Sequence, residues 1–369
     1  MRTSTDLEPP RPAAGAASPD PLAGSKYRAR RELARGGWGI VYEAVHVTLG
    51  RRFAVKVLRA EVTHDRLVVE RMRVEAQALA QLQSRHIVEA CDFGHTHDRR
   101  PFLVMPLLSA RTLVEELRER RPRCMAPEEA VNLVQQLLSG LGAAHRAGLV
   151  HRDVKLENLF LCDEGDGHRV LKILDFGVVK VLPFARVEPP GICTSEGAVV
   201  GTPHFIPPEQ AMGRDVGPPA DIYGVGVVLY ELLTGYPPFH GVTEFTSLLR
   251  AHVAEDPVLP SKNAPQPIEP ALEDVVMRAL AKRPQDRYAS AEELSLALEQ
   301  AMQLLRRVGA SAAQPDGAPR PAVETACSAQ RPSAPVARVR GASPLVALLV
   351  VMVGVVVSAL VAIALLRGT

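Results

Sequence analysis

Two hydrophobic periods divide the chain. In its first third the apolar positions come in short runs bounded by glycine or charge. Arg28 to Leu33, then Gly36-Gly37-Trp38-Gly39-Ile40-Val41-Tyr42, predict two strands joined by a glycine-rich turn. In Phe53-Ala54-Val55-Lys56-Val57 a period of two puts Ala54 and Lys56 on one face and Phe53, Val55 and Val57 on the other. The period then changes. From Arg66 to Gln83, Met72, Glu75, Leu79 and Leu82 fall three or four apart, as on one helical stripe. Phe102-Leu103-Val104-Met105 returns to a strand. Pro127, followed by Glu128 and Glu129, opens a long amphipathic helix that Gly148 stops. Asp221 to Leu233 is apolar nearly all round, which predicts a buried helix closed by Gly235. Strands first and helices afterwards predict an α+β fold of two lobes.

A third pattern stands at the far end. Leu345 to Leu366 carries no charge and consists mostly of Val, Leu and Ala. A bilayer core takes about 20 apolar residues in a helix, so this segment predicts one membrane span. Residues 309–342 are rich in Pro, Ala, Gly and Ser and predict an unfolded linker. Residues 1–25 hold no apolar run and predict a disordered arm. Arg331, Arg338 and Arg340 precede the span and Arg367 alone follows it, an asymmetry of the positive-inside kind. Gly354, Ser358 and Ala362 recur every four residues; such a small-residue face lets two helices approach, so a homodimer is an expectation.

Charge and cysteine narrow the function. Lys plus Arg number 43 and Asp plus Glu 41, a balance that gives no electrostatic argument for nucleic acid. The 5 cysteines contain no Cys-x-x-Cys pair, which argues against a structural zinc and a disulfide scaffold. The candidate chemistry lies elsewhere. His151-Arg152-Asp153-Val154-Lys155-Leu156-Glu157-Asn158 sets an aspartate, a lysine and an asparagine at fixed intervals, and Asp175-Phe176-Gly177 follows after a hairpin's length of chain. The turn at Gly36–Gly39 would let backbone N–H groups approach phosphate oxygens. Small Ala54 beside Lys56 leaves room for a flat base next to an ammonium. Glu75, in an apolar stripe, needs a partner, because an unpaired buried carboxylate is costly; Lys56 is the natural candidate.

These motifs, in this order, resemble the eukaryotic-like (Hanks-type) Ser/Thr protein kinases, most closely their bacterial branch, over about residues 27–305, with a small lobe over about 26–105 and a large lobe over about 109–305. The resemblance implies a two-lobed kinase fold and transfer of the γ-phosphate of ATP to Ser/Thr hydroxyls of proteins. It implies that Asp153 is the base, Lys155 and Lys56 contact phosphate, Glu75 partners Lys56, and Asn158 and Asp175 hold Mg²⁺, with Mn²⁺ as a substitute. Ala34, Gly36, Gly39 and Val41 match the nucleotide loop, with Ala54, Met105, Leu108 and Phe160 around adenine. Gly201-Thr202-Pro203 resembles the substrate-docking loop. Glu209 and Arg287 match a structural ion pair, and Asp221 a structural acid of the large lobe. Thr194 and Ser195 are the expected phosphosites of an activation loop. ATP is cytosolic, so the expected location is the cytoplasmic membrane, single-pass, with the kinase in the cytosol. Three positions depart from the pattern. Ala34 replaces a glycine, Pro106 stands first in the hinge, and Pro207 precedes Pro208-Glu209; none is a charged catalytic group. The rival reading is a pseudokinase, a nucleotide-binding scaffold at the membrane.

Overall fold

Five antiparallel strands in the order β1-β2-β3-β5-β4 make the first lobe: β1 (Tyr27–Arg35), β2 (Gly39–His46), β3 (Arg52–Leu58), β4 (Asp92–His95) and β5 (Pro101–Pro106). This computed structural model describes residues 20–165, 167–176 and 204–312. Residues 1–19 of the expected arm, 313–342 of the expected linker and the expected membrane span, together with Thr194, Ser195 and Gly201-Thr202-Pro203, lie outside them. Residues 20–25, expected in the disordered arm, are described instead, with Leu22 fully buried by apolar packing, and 309–312, expected in the linker, continue a helix that ends at Ala312. Among the described residues no helix is long and apolar enough to cross a membrane.

The period of two along β3 decides what each face of the sheet covers. Val55 and Val57 join Tyr27, Ala44, Phe102 and Val104 on one side, with Leu22 fully buried beneath them. Ala54 and Met105 face the other side, where Val68, Met72 and Ala76 of helix α1 (Arg66–Gln81) pack. Asp65 caps α1 by accepting from the Leu67 N–H at 2.8 Å.

The second lobe hangs on a helix buried on all sides. Every residue of α5 (Pro218–Thr234) from Ala220 to Thr234 is buried, as its unbroken apolar run predicts. It packs against α3 (Pro127–Arg146) and α8 (Pro270–Ala279), and α9 (Ala291–Ala312) closes over α3. Gly235 ends α5 at φ +90°; a Cβ there would lie 2.1 Å from the Arg123 carbonyl oxygen, so no other residue fits. The same lobe carries a small sheet, β6 (Ala110–Thr112), β7 (Leu159–Asp163) and β8 (Arg169–Ile173), and helix α2 (Leu113–Glu119), whose start is a capping box of Thr112 and Glu115; their buried apolar residues join the core around α3 and α5. Helices α4 (Pro208–Ala211), α6 (Phe245–Ala254) and α7 (Pro260–Asn263) complete the lobe.

Candidate active site

Asp153 sits on the segment between α3 and β7, and backbone contacts hold that segment before any ligand is considered. The carboxylate of Asp221 is fully buried at the start of α5. Its Oδ2 accepts the His151 N–H and its Oδ1 the Arg152 N–H, both at 2.8 Å, and His145 Nε2 lies 2.7 Å from Oδ2. Two main-chain donors on one carboxylate hold Arg152 at φ +63°, a left-handed conformation that a side chain adopts only under such constraint. Burial, against the pull of Asp221 and Asp153, pushes the His151 ring below its usual range, so the ring is neutral. Its Nε2 lies 3.1 Å from the Leu174 carbonyl, and its Nδ1 accepts the Asp153 N–H at 3.2 Å. That pattern places the ring proton on Nε2 and ties Asp153 to Leu174, next to Asp175.

Asp153 is flanked on two sides. Asn158 Nδ2 donates to its main-chain oxygen at 2.8 Å and to Oδ2 at 3.0 Å. Lys155 Nζ stands 3.0 Å from Oδ2. Burial works to lower Lys155, but the Asp153 charge and hydrogen bond outweigh it and hold the ammonium above its usual range. The three residues singled out by spacing alone are thus one hydrogen-bonded group.

Lys56 behaves differently from expectation. Its ammonium pairs with Asp175, and it makes no ion pair with Glu75. The cause is burial. Glu75 is 5% exposed, and loss of water raises its carboxyl to about 8, although the Lys56 charge opposes this. At neutral pH it is therefore mostly uncharged and has little to offer a cation. Asp175 is far better hydrated and keeps the contact. Burial also acts to lower Lys56, but Asp175 and Glu75 together hold it above its usual range. The sign for stability follows. Folding favours the protonated Glu75, so its contribution is fully present below about pH 4.5 and is lost as pH rises toward 8. Glu75→Gln has no proton to lose. The melting temperature of wild type minus that of Glu75→Gln is expected to fall between pH 5 and pH 8.5, by the equivalent of about 4 kcal/mol at most. A constant difference across that range would refute the assignment.

The nucleotide-loop residues have distinct reasons for their identity. Val41 lies opposite Lys56 and Ala54 opposite Met105 across β2, β3 and β5. Val41, Ala54, Met105 and Leu108 share one apolar cluster, and Phe160 is half-buried in β7. A Cβ on Gly39 would meet the Val57 carbonyl oxygen at 2.7 Å, so this glycine is required by the approach of β3. Gly36 lies in the open turn, its N–H on the Gly39 carbonyl at 2.9 Å. Ala34 pairs with Val41 in the β1–β2 ladder, where a side chain is tolerated.

Arg287 and Glu209 form the buried pair expected of them. Arg287 Nη1 and Nη2 donate to the two Glu209 oxygens at 2.7 and 2.8 Å, while Nη1, Nε and Nη2 also donate to the carbonyls of Pro219, Ala281 and Lys282. The guanidinium lies 4.9 Å from the Tyr223 ring centre. The carbonyl partners and the ring are invisible to spacing in the sequence, as is the triple role of Asp221.

Known proteins agree with this geometry. The model of the protein kinase domain matches residues 27–299. PknL of Mycobacterium bovis, a serine/threonine-protein kinase, is 40% identical over 279 residues, which is 75% of this chain and 66% of that protein. The serine/threonine-protein kinase Pkn1 of Myxococcus xanthus is 39% identical over 301 residues, 81% of this chain and 42% of that protein. The chain thus spans less than two thirds of these relatives. The crystal structure of the PknI kinase domain of Mycobacterium tuberculosis superimposes with a TM-score of 0.60 at 25% identity, over 78% of this chain and all of that one. The chain belongs to the protein kinase family, in its bacterial Hanks-type Ser/Thr branch.

Proposed function

We infer that the protein transfers the γ-phosphate of ATP to Ser or Thr hydroxyls of other proteins. The observation that carries this is the joined set of Asp153, Lys155 and Asn158 beside a Lys56–Asp175 pair: every charged group the reaction uses is present and brought to one place. Asp153 accepts the hydrogen bond of the incoming hydroxyl and aligns it for in-line attack. Lys155, already held against Asp153, balances charge on the moving phosphoryl group. Lys56 grips the remaining phosphates, with the Asp175 carboxylate paired to its ammonium. The donors for a divalent ion fit a hard cation. Asn158 commits its amide N–H to Asp153 and has its amide oxygen left to offer, next to the carboxylate of Asp175. A bound Mg²⁺ would supply charge neutralisation across the phosphates. A scaffold reading would require the loss of one of these groups, and none is lost.

Two arginines support a regulatory phosphate on the segment between Asp175 and Glu209. Arg152 Nε and Arg71 Nη1 are both buried and make no hydrogen bond among the described residues. Burial, with a contribution from the Arg71 charge, lowers Arg152 even though Asp221 opposes it. Two guanidinium groups with unmet donors favour an anion between them, and a phosphate at Thr194 or Ser195 supplies one. Full-length protein incubated with magnesium and γ-labelled ATP is expected to label casein, and mass spectrometry to find phosphate at Thr194 or Ser195. Absence of transfer to casein and to itself would reject the kinase reading. Full activity of the Thr194→Ala, Ser195→Ala variant would reject only the regulatory role.

Leu345–Leu366 supports a membrane anchor, with the kinase on the cytosolic side and the Gly354–Ser358–Ala362 face available for pairing. The full chain is expected in the membrane pellet and resistant to high salt, and a chain ending at Arg307 in the supernatant. Intact chain recovered without detergent from the soluble fraction would overturn the anchor.

A further inference from the structure

One turn of the small lobe has no part in the chemistry above. Val47, Thr48, Leu49 and Gly50 lie between β2 and β3. Val47 is 54% exposed and Leu49 64%, so both large apolar side chains of the turn stand in water. Scattered apolar side chains on a surface are ordinary, but these two share one turn and one border of charge.

The turn is preformed. The His46 N–H donates to the Arg51 carbonyl and the Gly50 N–H to the His46 carbonyl, both at 2.9 Å. His46 Nδ1 accepts the N–H of Thr48 at 3.3 Å and of Leu49 at 3.2 Å. The His46 ring meets the buried Tyr27 ring edge-on at 5.2 Å, which ties the turn to the apolar cluster of Val55 and Phe102. The turn is thus braced from within, and a partner of Val47 and Leu49 would have little backbone left to order.

The border is basic. The Val47 N–H donates to the Lys26 carbonyl at 2.9 Å, which sets Lys26 beside the turn. Arg28 and Arg52 stand either side of Val45, in one row across β1, β2 and β3. Arg51 leaves the turn with its guanidinium 5.8 Å from the Phe53 ring centre. All four cations are exposed. Glu43 pairs with Arg52 and Arg31, and Asp92 with Lys26. Arg28 and Arg51 make no ion pair among the described residues.

An apolar tip inside a ring of cations matches both layers of a bilayer surface, the acyl chains and the anionic headgroups. A polyanion alone would satisfy the cations and leave the two apolar side chains in water. The same chain carries the apolar run at 345–366, for which a bilayer is the expected host.

We propose that the β2–β3 turn is a membrane-docking site: Val47 and Leu49 enter the interfacial layer of an anionic bilayer while Lys26, Arg28, Arg51 and Arg52 meet its headgroups. The site goes beyond the anchor and does not depend on it. An anchor leaves open which face of the kinase meets lipid; this turn presents one end of the small-lobe sheet.

The test uses the full chain mixed into vesicles, with Leu49→Trp as reporter. Brominated acyl chains quench a tryptophan that enters their layer, and Trp38, the one tryptophan of the parent chain, gives the background. In vesicles of brominated phosphatidylcholine and phosphatidylglycerol the added emission is expected to fall about twofold. Leu296→Trp, at a comparably exposed site on α9, is the control and is expected to stay unquenched. Adding Arg28→Glu and Arg51→Glu is expected to restore the reporter's emission, since each cation at such a surface is worth about fivefold in binding; high salt should do the same. Val47→Asp is expected to act likewise, and it carries the test should the charge-reversed chain not fold. Casein labelling in detergent is expected to stay within about twofold in every variant. An unquenched reporter, equal quenching in vesicles of phosphatidylcholine alone, equal quenching of the control, or quenching that survives both charge reversal and Val47→Asp would each overturn the proposal. So would capture of soluble polyglutamate through the same arginines without quenching by lipid, which would assign the patch to an acidic protein. Sedimentation reads the anchor separately. If the anchor fails, the chain stays in the supernatant with phosphatidylcholine vesicles and still pellets with those holding phosphatidylglycerol. If only the turn fails, the chain pellets with both and the reporter stays bright.

Discussion

Asp153→Asn is expected to lower the rate of phosphate transfer by about 10²-fold or more while the protein stays folded and still binds ATP. The substitution keeps shape and removes one thing, the negative charge that accepts the substrate hydroxyl proton. The side chain is held from two sides, by Lys155 at 3.0 Å and Asn158 at 3.0 Å, so an amide of the same size stays in place. The loss should then appear in kcat with ATP affinity nearly unchanged. Lys56→Met is expected to give a loss of similar size with a different signature. It removes the cation that pairs with Asp175, so KM for ATP should rise as well. The two variants thus separate the group that orients the nucleophile from the group that grips phosphate. Near-normal casein labelling by either purified variant would refute the assignment of that residue.

Arg287→Ala is expected to have the largest effect on stability, about 3–5 kcal/mol, because it strands the Glu209 carboxylate in a dry interior. The guanidinium is fully buried and satisfies three main-chain carbonyls as well as both Glu209 oxygens, so its removal leaves several acceptors unmet. For a domain of this size that corresponds to a fall of about 10 °C in melting temperature. Arg287→Lys should recover little, since one ammonium cannot reproduce the bidentate fork. Glu209→Leu combined with Arg287→Met should be milder than the two single changes added together, because no charge is left stranded. The fall should be measurable before ATP affinity changes, since Arg287 lies among α4, α5 and the chain after α8, away from Lys56 and Asp175. An unchanged melting temperature in Arg287→Ala would refute the pairing as a structural anchor.

The elements were largely legible in the chain itself. The period of two in Phe53–Val57 and the apolar run of α5 report burial directly, and Gly148 and Gly235 mark helix ends because only glycine takes the left-handed turn without strain. The group around Asp153 was legible for a related reason. Asp153, Lys155 and Asn158 are neighbours in sequence, so their spacing already confines them to one turn of chain. Gly39 was legible as glycine but not for its cause, which is the carbonyl of Val57 on the adjacent strand.

By itself the sequence determined the two lobes, the catalytic motif and the apolar segment at 345–366, because each depends on the types and intervals of residues along one stretch of chain. Only the tertiary structure decided which charges meet. Lys56 turns to Asp175 because Glu75 is the more deeply buried acid, and desolvation, a property of the packed assembly, keeps its carboxyl protonated. In the same way Asp221 gathers two backbone donors and a histidine, Arg287 its three carbonyls, and His252 its tyrosine, from positions far apart in the sequence. Local periodicity reports whether a side chain is buried. The cost of removing its charge from water is set by every element that closes over it, and that cost chooses its partner.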